Sequence, residues 1–313
     1  MMGVRMSSDL EDSAAPVRGQ IRLNEPMSRH TSWRVGGPAD RFFIPADGDD
    51  LASFLSTSTT CDHIEWLGLG SNVLIRDGGI RGTVVHTQKG LRGLQQIARD
   101  RVRVEAGVPG AKVARFCVRC GLTGAEFLAG IPGTIGGALE MNAGAFGGET
   151  WEIVEAVQTV DRSGRTQTRS ADEFIVGYRS VRKPADEWFI AAELKLGVGD
   201  VSEGKTRISE FLERRGASQP IQSANAGSVF RNPAGDYAAR LLEEAGLKGA
   251  CEGQACVSEQ HANFIINRGG ARAADIERLI ERMRRQVLVS QGVALELEVR
   301  VMGELAWAEE GFE

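Results

Sequence analysis

Apolar positions recur along this chain with two periods, and the change from one to the other places most of its elements. From Asp275 to Ser290, the residues Ile276, Leu279, Ile280, Met283 and Val287 return every three or four positions. That is the spacing of a helix with one buried stripe, and Gly292 closes it. Immediately beyond, Val293 to Met302 (VALELEVRVM) alternates strictly and predicts a strand, with Leu295, Leu297, Val299 and Val301 on one face and Glu296, Glu298 and Arg300 on the other. Strand patterns also cover Arg101 to Glu105, Glu152 to Val160 and Trp188 to Leu196, and Asp161 to Gly164 forms a hairpin turn into Thr166 to Thr168. Helical spacing is predicted for Pro45 to Ser56, Ala111 to Cys120, Ser202 to Arg215 (stopping at Gly216) and Tyr237 to Ala245 (stopping at Gly246). Shorter strands are expected near Ser228 to Arg231 and Ala262 to Ile266, while Ile21 to Val85 reads as short strands and turns. Gln219-Pro220 marks a domain junction.

Two glycine-dense segments interrupt these patterns. Gly130 to Gly148 (GIPGTIGGALEMNAGAFGG) holds seven glycines, and no Lys, Arg or His lies between Gly121 and Thr150. Such flexibility is costly unless the backbone must approach something closely, and main-chain N–H groups can cradle an anion without side-chain cations. A dinucleotide pyrophosphate fits that description; a glycine-rich surface loop is the plainer alternative. The second segment, Trp66 to Val85 (WLGLGSNVLIRDGGIRGTVV), puts a tight polar turn at Gly68, Gly70, Ser71 and Asn72 between two apolar runs. It is not a Rossmann fingerprint: Val73 replaces the third glycine and strand pattern follows where a helix is required.

Composition narrows the class. With 313 residues, 42% of them hydrophobic, the chain can build two or three domains with their own cores. A net charge of −5 argues against a broad nucleic-acid surface, and no apolar run is long enough for a membrane span. The polar, acidic residues 1–20 read as a disordered tail and not as a signal peptide, which points to the cytoplasm. Five cysteines, an odd number, agree with that compartment. Cys117 and Cys120 lie inside a helical pattern and not at its N-terminus, so they read as small core residues. Cys251 and Cys256 lack a second pair at zinc spacing and the four histidines are scattered, so no metal is expected.

Three short segments place polar groups among apolar neighbours: Tyr178-Arg179, Asn225 to Pro233 and Leu295 to Arg300. Singly, Arg179 reads as a solvated loop residue, Ser228 as a strand-edge serine and Glu298 as one of a charged row. Together with Thr31 to Ala39 (TSWRVGGPA), Gly68 to Asn72, Gly130 to Gly148, Arg214-Arg215, Gln219-Pro220, Gly227 to Phe230, Asn232-Pro233, Gly246 to Gly249, His261-Ala262 and Leu295 to Gly303, they occur in one order. In that order the chain resembles the UDP-N-acetylenolpyruvoylglucosamine reductases of bacterial cell-wall synthesis, from about Asn24 to Gly303.

The resemblance implies an α+β chain with an FAD-binding type II fold, of the vanillyl-alcohol-oxidase or PCMH-like kind. Its two subdomains would be residues 21–87 and 88–208, with a smaller α+β substrate-binding domain at 209–296 and residues 297–313 returning to the second subdomain. It implies an NADPH-dependent reductase with non-covalent FAD, acting as a monomer on an enolpyruvyl sugar nucleotide. By the same resemblance Arg179, Ser228 and Glu298 are catalytic: an arginine for the carboxylate that gathers charge, a serine to deliver a proton and a carboxyl to assist, with His261 a less favoured proton source. Cofactor contacts fall at Trp33, Arg34, Val35, Gly36 and Gly37, at Gly68, Leu69, Gly70, Ser71 and Asn72, and at Gly130, Ile131, Pro132, Gly133, Thr134, Gly136, Gly137, Asn142, Ala143 and Gly144. Substrate contacts fall at Tyr178, Arg215, Asn232, Lys248 and Arg300, the last with a structural salt bridge as its alternative. Ser180 follows Arg179 directly, one residue sooner than the family pattern, and the tyrosine-bearing loop of longer members is missing, which makes this a short subtype. An oxidase of the same flavin fold and a non-catalytic sugar-nucleotide binder are the competing readings.

Overall fold

Three main sheets, of four, five and three strands, follow one another along the chain, and the computed structural model describes residues 17–58 and 63–306. The first sheet has the strand order Gln20–Pro26, Pro38–Ile44, Ile80–His86, Ile64–Leu67. Its first pair is antiparallel and the others parallel. Successive residues leave opposite faces: Phe42 and Val84 enter one apolar cluster, Phe43 and Val85 the other. Both faces are therefore covered, as parallel strands require. Residues 17–20, placed in the tail by the sequence reading, belong to the fold. Arg18 and Gly19 donate their N–H groups to the buried Asp50 carboxylate at 2.6 and 2.9 Å, and the first strand begins at Gln20. Residues 1–16 lie outside the described residues.

The second sheet is wholly antiparallel, in the order Thr166–Ser170, Val154–Asp161, Glu187–Lys195, Arg101–Glu105, Leu94–Ala98. Val102, Val104, Val157 and Leu194 share a cluster with Val113, Ala114 and Cys117 of helix Gly110–Arg119 and Ile208 of helix Val201–Ser218. Burial pushes the Cys117 thiol up to about 12, as expected of a core cysteine. The second helix does not stop at Gly216. It runs to Ser218 and ends because Gln219, held extended, precedes Pro220. No helix among the described residues is long and apolar enough to cross a membrane.

In the third unit, helices Ala238–Glu244 and Ala273–Gln291 flank a small antiparallel sheet of Cys251–Glu252, Ala255–Val257 and Ile265–Asn267. Cys251 and Cys256, weighed in the sequence only as half of a zinc site, stand directly opposite each other in the hairpin and form a disulfide, with Cα atoms 4.1 Å apart. The strictly alternating run 293–302 is a regular strand only at Arg300–Met302. Upstream, the Val229 carbonyl accepts from the N–H groups of both Glu298 and Val299, at 2.9 and 3.3 Å, so two residues oppose one and the register breaks. The expected strand at Ser228 to Arg231 accordingly survives as a single bridge, Phe230 to Leu297. The returning segment also lands elsewhere than expected. Arg300–Met302 pairs in parallel with Val73–Ile75 of the first unit, not with the second.

Further contacts fasten the third unit to the first. The Asp77 carboxylate accepts the N–H groups of Ala273 and Ala274, both at 2.9 Å, capping the long helix from another unit. A helix cap is worth about 1 kcal/mol. Trp33, fully buried in the third unit's cluster, donates Nε1–H to the Ile265 carbonyl at 2.7 Å and accepts from Asn267 Nδ2 at its own carbonyl.

Candidate active site

Arg179 occupies a hairpin tip. Strands Ile175–Gly177 and Ser180–Arg182 pair with Gly177 opposite Ser180, leaving Tyr178 and Arg179 as a two-residue turn. The turn that looked one residue short is thus a tight hairpin. Arg179 takes a left-handed φ of 50°, which costs a side-chain-bearing residue about 1–2 kcal/mol. Its guanidinium offsets that cost by donating from Nη1 to the Asn142 carbonyl at 3.3 Å and from Nη2 to the Gly144 carbonyl at 3.0 Å. Nε lies 3.3 Å from Glu298 Oε1, yet it is buried without a well-formed hydrogen bond. The pair is an ion contact with a donor still to satisfy, which suits an arginine awaiting a carboxylate.

Glu298 comes from the opposite side. Its N–H donates to the Val229 carbonyl, and Asn72 Nδ2 donates to the Glu298 carbonyl at 3.1 Å. The Arg300 N–H in turn donates to the Asn72 carbonyl at 3.1 Å, so the glycine turn of the first unit fixes both ends of this stretch. Burial holds the Glu298 carboxyl above its ordinary value, opposed by the nearby Arg179 and Arg231. Ser228 immediately precedes Val229, so it sits on the segment that pairs with Glu298. Asn263, which the sequence reading missed, fixes that segment. Its side chain accepts from Phe230 N–H at 3.0 Å and donates to the Phe230 carbonyl at 2.8 Å, while its own carbonyl accepts from Val229 N–H at 2.9 Å. The available signal was an amide inside the apolar run Ala262 to Ile266. His261 accepts the Asn263 N–H at Nδ1, and burial followed by nearby Lys248 lowers its pKa, so it is poorly suited to donate a proton.

The two glycine segments face each other across units. A Cβ added to Gly68 would stand 2.3 Å from Thr134 Oγ1, and one added to Gly133 would have Ser71 Oγ as its nearest neighbour at 3.6 Å. Gly70, at φ +64°, lies against the His30 carbonyl, where a Cβ would come within 2.0 Å. Gly133 and Gly137 leave backbone open, and this fits a cofactor pyrophosphate laid along main-chain groups. Trp33 and Val35 are core residues and Arg34 is exposed, while Gly36 and Gly37 pack against Ile75 and Asp77. The expected contacts at 33–37 are therefore limited to backbone for the two buried side chains. Asn142 is also turned elsewhere, toward the Arg179 hairpin.

Of the expected substrate contacts, Tyr178 and Asn232 line one open cavity of about 480 Å³ with Pro233, Asp236 and Tyr237. Asn232 Oδ1 also accepts the Ala238 N–H at the start of its helix. Arg215 is half-buried, bonded only to Gln219 among the described residues, and desolvation lowers its pKa. Lys248 pairs with Glu243, and Arg300 forms a salt bridge at 3.0 Å with Glu65 and not with Glu298, the neighbour on its expected face.

Comparison with known proteins settles the lineage. Residues 39–170 match the family model of an FAD binding domain, and residues 219–302 that of the UDP-N-acetylenolpyruvoylglucosamine reductase C-terminal domain. The UDP-N-acetylenolpyruvoylglucosamine reductase of Methylococcus capsulatus is 58% identical over 93% of this chain and 96% of its own. The chain belongs to the UDP-N-acetylenolpyruvoylglucosamine reductase family. The reductase of Alkalilimnicola ehrlichii is 54% identical over 91% of this chain and 96% of its own. The crystal structure of the Thermus caldophilus reductase superposes with a TM-score of 0.78 at 33% identity, covering 91% of this chain and 98% of its own. A 6-hydroxy-D-nicotine oxidase from Arthrobacter nicotinovorans, at 12% identity and a TM-score of 0.55 over 91% of this chain and 90% of its own, shares the fold alone. The FAD-binding type II architecture read from the sequence is the fold of this chain.

Proposed function

We propose that this member of the family reduces the enolpyruvyl group of UDP-N-acetylglucosamine enolpyruvate to the lactyl ether, giving UDP-N-acetylmuramate, with NADPH as reductant and FAD held non-covalently. The observation that carries the reading is the meeting of Arg179, Glu298 and the Ser228 segment beside the two glycine loops. Bound FAD supplies hydride transfer. Reduction at the terminal carbon drives charge into the substrate carboxylate, and Arg179 is aimed to hold that carboxylate with a fixed, permanent cation. Burial raises the Glu298 pKa, and in its protonated form the carboxyl adds a donor beside the developing charge. Ser228 hands a proton to the α-carbon of the resulting enolate, a base strong enough to take it from a hydroxyl. Tyr178, Asn232 and the half-buried Arg215 serve the nucleotide side. The chain acts as a cytoplasmic monomer in this reading.

Anaerobic mixing followed by absorbance tests it. NADPH bleaches the yellow protein, and the enolpyruvyl sugar nucleotide then restores the oxidised flavin spectrum without oxygen. Restoration by oxygen alone would favour an oxidase, and a colourless protein would favour a non-catalytic binder.

Glu298 sets a pH dependence whose sign follows from its raised pKa. Below that value the carboxyl is protonated and can donate. Above it a carboxylate faces the charge gathering on the substrate, so reoxidation by substrate slows as pH rises through the value. The Glu298→Gln variant, neutral at every pH, lacks this limb. A limb that persists in Glu298→Gln assigns the titration to another group.

A further inference from the structure

Arg179 cannot hold its turn by itself. A left-handed arginine at the tip of a short, solvent-facing hairpin needs an outside anchor: Ile175 is 64% exposed and Tyr178 is 48% exposed. The anchor is the loop that follows helix Ile135–Glu140, and its centre is Asn142, which is 1% exposed. Every polar atom of the Asn142 side chain is committed. Nδ2 donates to Glu149 Oε2 at 2.8 Å and to the Gly177 carbonyl at 3.3 Å, while Oδ1 accepts the Trp151 N–H at 3.1 Å. The Asn142 main-chain carbonyl receives Arg179 Nη1. One residue therefore grips the hairpin on both sides of its turn's entry, through the Gly177 carbonyl just before the turn and through the guanidinium at the tip.

The surroundings keep that grip rigid. Glu149, which orients the amide, has its own N–H bound to Glu152 Oε2 at 2.9 Å. Thr150 closes the loop by donating N–H and Oγ1–H to the Ala143 carbonyl at 3.0 and 2.6 Å. A Cβ at Gly144 would stand 2.8 Å from the Gly148 carbonyl oxygen and 3.0 Å from Glu149 Cγ, so a side chain there would push the loop apart beside the guanidinium.

We infer that Asn142 is a positioning residue for Arg179 rather than a cofactor contact, and that the Glu149–Asn142–Gly177 chain sets where the guanidinium meets the substrate carboxylate. The inference rests on the proposed role of Arg179. Displacing a catalytic group by about 1 Å from a distance can cost on the order of 100-fold. With the Nη contacts to main-chain carbonyls still in place, loss of the Gly177 contact is expected to slow reoxidation by the enolpyruvyl nucleotide about 10- to 100-fold.

The test compares wild type, Asn142→Ala, Arg179→Lys and the double variant, all as flavin-loaded protein, in the two half-reactions. For Asn142→Ala, flavin content per chain and reduction by NADPH stay within about two-fold of wild type, while reoxidation slows as stated. In the Arg179→Lys background the same change costs little more, because its effect passes through Arg179. Should the alanine variant not fold, Asn142→Asp keeps the acceptor for the Trp151 N–H, removes the donor to Gly177 and shows the same split. Loss of flavin, equal slowing of both half-reactions or a fully additive double variant would overturn the inference while leaving Arg179 catalytic. An Arg179→Lys variant that reoxidises at the wild-type rate would instead remove the reading on which the inference stands.

Discussion

Replacing Ser228 by alanine leaves reduction of the flavin by NADPH near the wild-type rate and slows its reoxidation by the enolpyruvyl sugar nucleotide about 10²- to 10⁴-fold, the usual worth of a positioned general acid. The asymmetry follows from where the hydroxyl sits. Ser228 stands on the segment that pairs with Glu298, so it belongs to the half-reaction in which the substrate collects charge and needs a proton. The fold has little to lose from the change. Asn263 holds the neighbouring backbone through Phe230 and Val229, and none of those bonds uses the serine side chain. Stopped-flow measurement of the two half-reactions checks it, and equal slowing of both would make the serine structural.

Arg179→Lys lowers the rate of reoxidation by substrate about 10²- to 10³-fold, the loss measured when one donor of an oxyanion site is removed. A lysine keeps the charge but not the fork. Arg179 spends Nη1 and Nη2 on two main-chain carbonyls and still presents a buried Nε toward Glu298. A single ammonium that satisfies the carbonyls of Asn142 and Gly144 has no second nitrogen to offer a ligand. Most of the loss therefore appears in the rate of the substrate half-reaction. Single-turnover kinetics at saturating sugar nucleotide decides the matter: a variant that regains wild-type reoxidation at high substrate would show that Arg179 only binds.

The elements visible from the sequence are those whose buried face is supplied locally. Helix Ala273–Gln291 carries its apolar stripe and its Gly292 stop in one stretch, and the strands around Asp161 carry alternation and turn chemistry together. Val293 to Met302 misled for the opposite reason. Its alternation is real, but which face is used depends on the bulge at Glu298–Val299 opposite Val229 and on pairing with Val73–Ile75, more than two hundred residues away in sequence. Arg300 and Glu298 consequently part company, one paired with Glu65 and the other turned to Arg179.

The candidate site divides in the same way. Arg179, Ser228, Glu298 and the glycine loops were singled out by the order of the motifs and the resemblance it carries, since each residue taken singly reads as an ordinary loop, strand-edge or charged-row position. The residues that hold them were not. Asn263 and Glu149 act through bonds set by the folded arrangement, one to main-chain groups and one to the Asn142 amide, and Asn142 was expected as a cofactor contact and is turned instead to the Arg179 hairpin. The Cys251–Cys256 pairing was hidden likewise, since only the hairpin register puts the two residues opposite each other.

The cap that Asp77 places on the long helix bears on how the chain can be cut. A match beginning at residue 219 suggests a module that could be moved or expressed alone. Yet the first turn of its main helix finds its acceptors on Asp77, and its apolar cluster is completed by Trp33, Val35 and Leu74. Severed from the first unit, such a fragment would carry unpaired amides at a helix start and an apolar hole where an indole had been. The boundary written in the sequence is therefore one of ancestry, whereas the helix cap and the apolar core of the third unit are completed by residues of the first.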